Sequence, residues 1–212
     1  MAMNHFRSIL EERTESILYS ASPCSSEHAA GWIGGNAPAY FDDKADTIHD
    51  GDQNYYFYLS LVHPFKPASM ISIFIPNDYE EYVEHNQYPD CSIKVMEHPM
   101  TDESLNDHFA HPGLIKHLIS HPESCSDFQS IDQSFLVKFG GSPRLVQDED
   151  YYSERLREEG FSFLLQVDEE GYPETLLRED SSYPFGFGAL YIYAKITTND
   201  VQDLIAGFWQ FS

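Results

Sequence analysis

Two stretches of the chain share one grammar. Residues 31–43 read GWIGGNAPAYFDD and residues 138–150 read KFGGSPRLVQDED: a bulky apolar residue, paired glycines, a short gap, proline, then carboxylates. Glycine adopts backbone angles that other residues resist, and proline fixes the direction of exit. Such a joint either cradles a phosphate or turns the chain. A P-loop needs Lys followed by Ser or Thr after its last glycine, and a dinucleotide fingerprint needs G-x-G-x-x-G between a strand and a helix. Neither stretch complies, and the carboxylates beyond each proline would repel a phosphate. Gly34, Gly35 and Pro38, like Gly140, Gly141 and Pro143, are therefore expected to be structural. FGFG at 185–188 is read the same way, as aromatics spaced by glycine at the entry to a strand, and no cofactor is expected.

Between the joints the apolar runs are short. YYFYLSLV (55–62), ASMISIFIP (68–76), CSIKVME (91–97), FSFLLQV (161–167) and ALYIYAKI (189–196) are aromatic and β-branched, which predicts strands, with FWQFS as a last one. Short helices are predicted over the opening segment, with Asn4 as cap and Phe6, Ile9, Leu10, Ile17 and Leu18 on one face. Others are predicted over NDYEEYVEH, over PGLIKHLISH (112–121), over SERLREEG ending at Gly160, and over TNDVQDLIAG closed by Gly207.

Both ends of the chain run joint, polar insert, aromatic strand, strand, Asn-Asp, short helix, strand. The pairs are Asn77-Asp78 and Asn199-Asp200. The repeated order predicts a degenerate internal duplication. The expected fold is α+β, mostly β: two similar sheet-rich lobes in one compact unit. A first lobe spans 1–98, a His/Pro-rich connection 99–134 and a second lobe 135–212.

Charge narrows the partners. Among 212 residues, 35 are acidic and 12 basic, a net charge of -23. Such a chain repels nucleic acid and anionic membranes and attracts basic partners from a distance. Cys24, Cys91 and Cys125 are far apart with no C-x-x-C, so reduced thiols are expected, and with them a cytoplasmic location. The opening MAMNHFRSILEERTESILYS has no long apolar run and no small-residue cleavage site, so no signal peptide is expected.

The motifs of catalysis are sparse. There is no G-x-S-x-G, and with so many carboxylates a pair at glycosidase spacing carries no weight. His98, His108, His111, His117 and His121 cluster in the connection. His117 and His121, four apart on the predicted helix, are the weak alternative for a metal, against a solvated linker as the main reading. Gln166 and Asp168 are polar residues within a strand, expected to bond neighbouring backbone. Acidic blocks interleave with tyrosines: Asp42, Asp43 and Asp46; Asp148, Glu149 and Asp150 before Tyr151 and Tyr152; Asp168, Glu169 and Glu170. Rings supply anchors and carboxylates steer encounter, so these residues are the expected partner-binding set.

The second joint and the chain beyond it resemble a known family. KFGGSPRLVQ, FLLQVDEEG, YPFGFGALYIYAKITTND and the terminal FWQF look like the YwqG-like bacterial domains, through Gly140, Gly141, Pro143, Gln147, Leu164, Leu165, Gln166, Val167, Asp168, Gly188, Leu190, Tyr191, Tyr193 and Gln210. The match covers roughly 135–212; the first lobe keeps Gly34, Gly35, Pro38 and the strand order, with LSLVHP where the Leu-Gln-x-Asp strand would stand. The resemblance implies a duplicated, mostly β fold with short helices; Gln166 and Gln210 are expected to be structural. It implies no common chemistry, though immunity beside secreted toxins is one role among relatives.

The expected function is therefore a non-enzymatic cytoplasmic immunity protein that binds a cognate basic toxin, a nuclease. The alternatives are a hydrolase with a site between the lobes, or a small-molecule or peptide module read by Gln166 and Gln210.

Overall fold

The computed structural model describes residues 5–23, 29–120 and 123–212. Among them the chain is mostly β, in two six-stranded antiparallel sheets. The strands are β1 (Glu15–Tyr19), β2 (Ala21–Ser22), β3 (Gly31–Ile33), β4 (Tyr55–Val62), β5 (Ser69–Pro76) and β6 (Lys94–Pro99). Next come β7 (His117–Ile119), β8 (Glu123–Ser126), β9 (Val137–Phe139), β10 (Ser162–Asp168), β11 (Ala189–Thr197) and β12 (Asp200–Gln210). One sheet has the order β8-β1-β9-β10-β11-β12 and the other β2-β7-β3-β4-β5-β6.

Each sheet is a four-strand meander, β9 to β12 or β3 to β6, extended by two strands from elsewhere. The sheets correspond position for position, which is a correspondence of topology and not a demonstration of sequence duplication. Their composition also cuts across the expected boundaries. β1, from the first segment, pairs with β9, and β7, from the 99–134 connection, pairs with β3.

The largest core lies between the sheets and draws on both: Ile17, Val137, Phe139, Leu165 and Ile192 meet Ile33, Leu59, Leu61, Ile71 and Ile73. Alternation along β5 sends Ile71, Ile73 and Ile75 into this core and Met70 and Phe74 to the outer face. There they pack with Phe41, Ile48 and Phe109 from the loops. The outer face of the other sheet is covered by the helix Tyr151–Glu158, whose Tyr152 and Leu156 rest on Phe163, Tyr191 and Phe208. Both faces of the central strands are thus buried, so β5 reads as a nearly unbroken apolar run. Each fully buried Ile or Phe contributes roughly 1.5–3 kcal/mol.

Two predicted helices are overturned and a third is cut short. In the opening segment the described helical turns run from His5 to Glu11 and stop there; Arg13 sits at φ 55°, and Glu15–Tyr19, predicted as the end of that helix, pairs with β8 and β9 as β1. Asn4, its predicted cap, lies outside the described residues. The segment 112–121 supplies β7, bonded on both sides by β2 and β3. The segment after Thr198 reverses in a two-residue turn and runs on as β12, paired to β11 along its length. Gly207 ends no helix there: a Cβ on it would stand 2.6 Å from the Tyr193 ring. The helices at Tyr79–Glu84 and Tyr151–Glu158 are present; the first is capped by Asp78, which accepts from Glu80 N at 3.0 Å.

Candidate functional site

The two glycine joints do bind an anion, but it is one of the chain's own carboxylates. Gly34, Gly35, Gly140 and Gly141 all have φ between 62° and 75°. Gly34 N donates to Tyr58 on β4 and Gly140 N to Leu164 on β10, so each pair closes a strand edge the same way. The next residue then donates its backbone N–H to a carboxylate: Asn36 to Glu103 and Ser142 to Asp127, both at 3.0 Å. Each carboxylate holds a lysine, Lys116 on Glu103 and Lys138 on Asp127. A Cβ on Gly141 would lie 2.0 Å from Asp127 Oδ1. The cradle is therefore full.

The segment after Pro143 is strapped across its sheet. Arg144 N donates to Gln166 Oε1, and Gln166 Nε2 donates back to Arg144 O, both at 2.9 Å. Gln210 repeats the arrangement two residues on: its Oε1 accepts from Val146 N and Gln147 N, and its Nε2 donates to Gln147 O. Both glutamines are fully buried. Each amide uses its oxygen and its Nε2 within the protein, which supports a structural role for both.

Three members of the expected partner-binding set are buried, which corrects that expectation for them. Asp168 accepts from Arg144 Nη2 at 2.8 Å and from Gln166 Nε2 at 3.0 Å. Tyr152 packs on Phe208 and donates to Gln147 Oε1. Glu169, 1% exposed, accepts from Phe185 N at 2.7 Å and Gly188 N at 2.9 Å. Burial pushes the Glu169 carboxyl up to about 8, against the pull of these N–H donors. Its role is internal: it ties down the 185–188 loop.

The exposed carboxylates do not form one surface. Asp42, Asp43 and Asp46 flank Phe41 and Ile48, over the outer face of the β2–β6 sheet. Asp148, Glu149 and Asp150 precede the helix over the outer face of the other sheet. These loops lie over opposite outer faces of the sandwich. Asp42 also accepts from Ser104 Oγ. Glu170 is exposed but shares Arg144 with Asp168.

The histidines do not converge. His117, in β7, bonds Ile115 O through Nδ1 and Thr175 Oγ1 through Nε2, so neither nitrogen is free for a metal; His121 lies outside the described residues. His98 is likewise used on both nitrogens, by Pro99 O and Ser72 Oγ. His49 and His108 face each other, Nε2 to Nε2, at 3.3 Å. His49 Nδ1 accepts from Tyr55 N, which places its proton on Nε2 and makes the contact a hydrogen bond. No group of three metal-ligating side chains occurs among the described residues. Cys91 and Cys125 are free thiols, and Cys24 lies outside the described residues.

What the structure does bring together is aromatic. A groove of about 880 Å³ is lined by Tyr56, Tyr79, Tyr82, His111, Tyr183 and Phe187, with Pro76, Pro112 and Pro184 between them. One wall is the start of the Tyr79–Glu84 helix and the other is the loop that Glu169 holds. Phe187 sits at φ 62°, a conformation a bulky residue adopts only when its surroundings impose it. Burial pushes the His111 imidazole down to about 4, so it is neutral at pH 7.

From the groove an aromatic band continues to the acidic loop at 148–150. Gly186 abuts Phe211, whose carbonyl accepts from Gln147 Nε2 at 3.0 Å. Gln87 donates to Tyr151 O at 2.9 Å, tying the chain after the Tyr79–Glu84 helix to the start of the Tyr151–Glu158 helix. Along this band Tyr79 is 70%, Tyr151 51%, and Phe187 and Phe211 each 48% exposed. The signal for it in the sequence was the long connection before β11, residues 169–188: loops of such length in a compact domain are uncommon and often functional.

No family model matches the chain, and no curated protein matches it. No helix among the described residues is long and apolar enough to cross a membrane.

Proposed function

We propose that this chain is a cytoplasmic immunity protein that binds and neutralises a basic toxin, a nuclease being the class its charge best complements. The observation that carries the reading is the band of exposed aromatics, Tyr79, Phe187, Phe211 and Tyr151, bordered by Asp148, Glu149 and Asp150. Four exposed rings lie in this region, while Phe128 is exposed elsewhere, and rings gathered in this way supply the anchors of an interface. A net charge of -23 supplies long-range attraction to a surface built from Lys and Arg to hold phosphate. The contact set of this proposal keeps Asp148 to Tyr151 and leaves out Asp42, Asp43 and Asp46, which lie over the other outer face.

The test is to mix the protein with basic nuclease toxin domains, beginning with any that is encoded beside its gene. A complex should form whose association rate falls at least ~10-fold from low salt to about 0.5 M, because steering is screened. Absence of a complex at low salt overturns the proposal.

A further inference from the structure

We infer that the groove between the Tyr79–Glu84 helix and the 181–187 loop takes an extended, proline-containing segment of a partner with arginine or lysine at its ends. This rests on the reading of the surface as a site for a basic protein, and it names the element of that protein which enters.

The lining fits that occupant for three reasons. First, tyrosine rings alternating with prolines make the shallow apolar slots that receive the ridges of a polyproline-type helix, which is already ordered before it binds and so loses little entropy. Second, such a segment has no internal hydrogen bonds, so its carbonyls need donors. His111 lines the groove and supplies one: its Nδ1 accepts from Gly113 N at 3.0 Å, which leaves the proton of the neutral ring on Nε2. Third, no charged side chain lines the groove, while its chain neighbours on the two walls are the exposed Asp78, Glu80, Glu179 and Asp180 against one exposed cation, Arg178. An apolar floor in a net negative neighbourhood favours a segment that is apolar in the middle and cationic at the ends.

The left-handed backbone of Phe187 belongs to the same device. The buried Glu169 accepts from the N–H groups on either side of Phe187 and holds it on the rim with its ring 48% exposed. Strain stored at an exposed aromatic is characteristic of a ligand clamp.

The experiment uses the whole chain and, as probe, an octapeptide of alternating proline and leucine with arginine at both ends. It is titrated at low salt alongside two relatives, one with glutamate for arginine and one with glycine for proline. Only the first should bind well, with each relative at least ~10-fold weaker. Tyr79→Ala and Phe187→Ala, both at exposed positions, should each weaken it about 10-fold.

Equal binding of all three peptides overturns the inference, as does no binding of the arginine peptide at about 1 mM, well above the affinity expected of an ordered groove. Binding of a xylose or glucose hexasaccharide in place of the peptide would also overturn it, assigning the rings to sugar stacking. Should the toxin bind while the peptide does not, the groove inference alone falls; should neither bind, the proposed function falls with it.

Discussion

Asp127 and Lys138 show how much a single buried pair determines. Lys138 is 2% exposed, with its Nζ 2.8 Å from Asp127 Oδ1, and the same carboxylate receives Ser142 N at the end of the glycine joint. Removing the acid leaves an ammonium in the interior with no counter-charge. Asp127→Ala is expected to cost about 3–5 kcal/mol in urea unfolding, and adding Lys138→Met to recover much of it, since a vacated buried charge costs more than an absent one. Glu169 makes a pH prediction of its own. Its folded pKa, about 8, lies above the ordinary carboxyl value, so the native state keeps a proton that the unfolded state has already lost. Stability from this site is therefore full below about pH 4.5 and falls as pH rises through about 8, each retained unit being worth about 1.4 kcal/mol. His63 and His111, both lowered by burial to about 4, act in the opposite direction at acid pH. The difference between the native chain and Glu169→Gln isolates the carboxyl, because the histidines are common to both: the urea midpoint of the native chain minus that of the variant should fall from pH 5 to 8.

The β11–β12 hairpin shows what a local signal means once its strands are placed. Asn199 stands at φ 66° in the two-residue turn, where asparagine and glycine are at ease and other residues are strained. Asn199→Gly should leave thermal stability within a few tenths of a kcal/mol, and Asn199→Ala should lower it by about 1–2 kcal/mol. The same Asn-Asp pair reads as a helix cap from sequence, and at Asn77-Asp78 it is one, with Asp78 as the capping residue. Strands β4, β5 and β11 were legible because both of their faces are covered, so the apolar run is continuous and needs no partner to be recognised. β1, β7 and the first half of β12 were not. Their apolar residues also fit a helical period, and the hydrogen bonds that settle the matter come from strands as much as 120 residues away in sequence.

Across the molecule, the acidic blocks divide by face, and a charge-reversal experiment reads the division. Asp148, Glu149 and Asp150 changed together to Lys should slow association with the basic toxin at least ~10-fold at low salt. The same change at Asp42, Asp43 and Asp46, over the other outer face, should slow it far less, because only charges near the contact steer strongly within a Debye length of about 10 Å. Equal effects would mean that net charge, and not the aromatic band, selects the partner.

By itself the sequence determined the secondary-structure class, the two glycine joints and the anionic surface. These arise from local backbone preference, from side chains that alternate or run apolar, and from a sum of charges, none of which needs a neighbour in space. Only the tertiary structure decided which carboxylates are surface and which are scaffold. Glu169 is written in the chain like any other member of an acidic block, and its burial depends on the 185–188 loop folding over it. The groove is decided at the same level: Tyr56, Tyr82, His111 and Phe187 come from β4, a helix and two loops, and they meet because the sheets place them together.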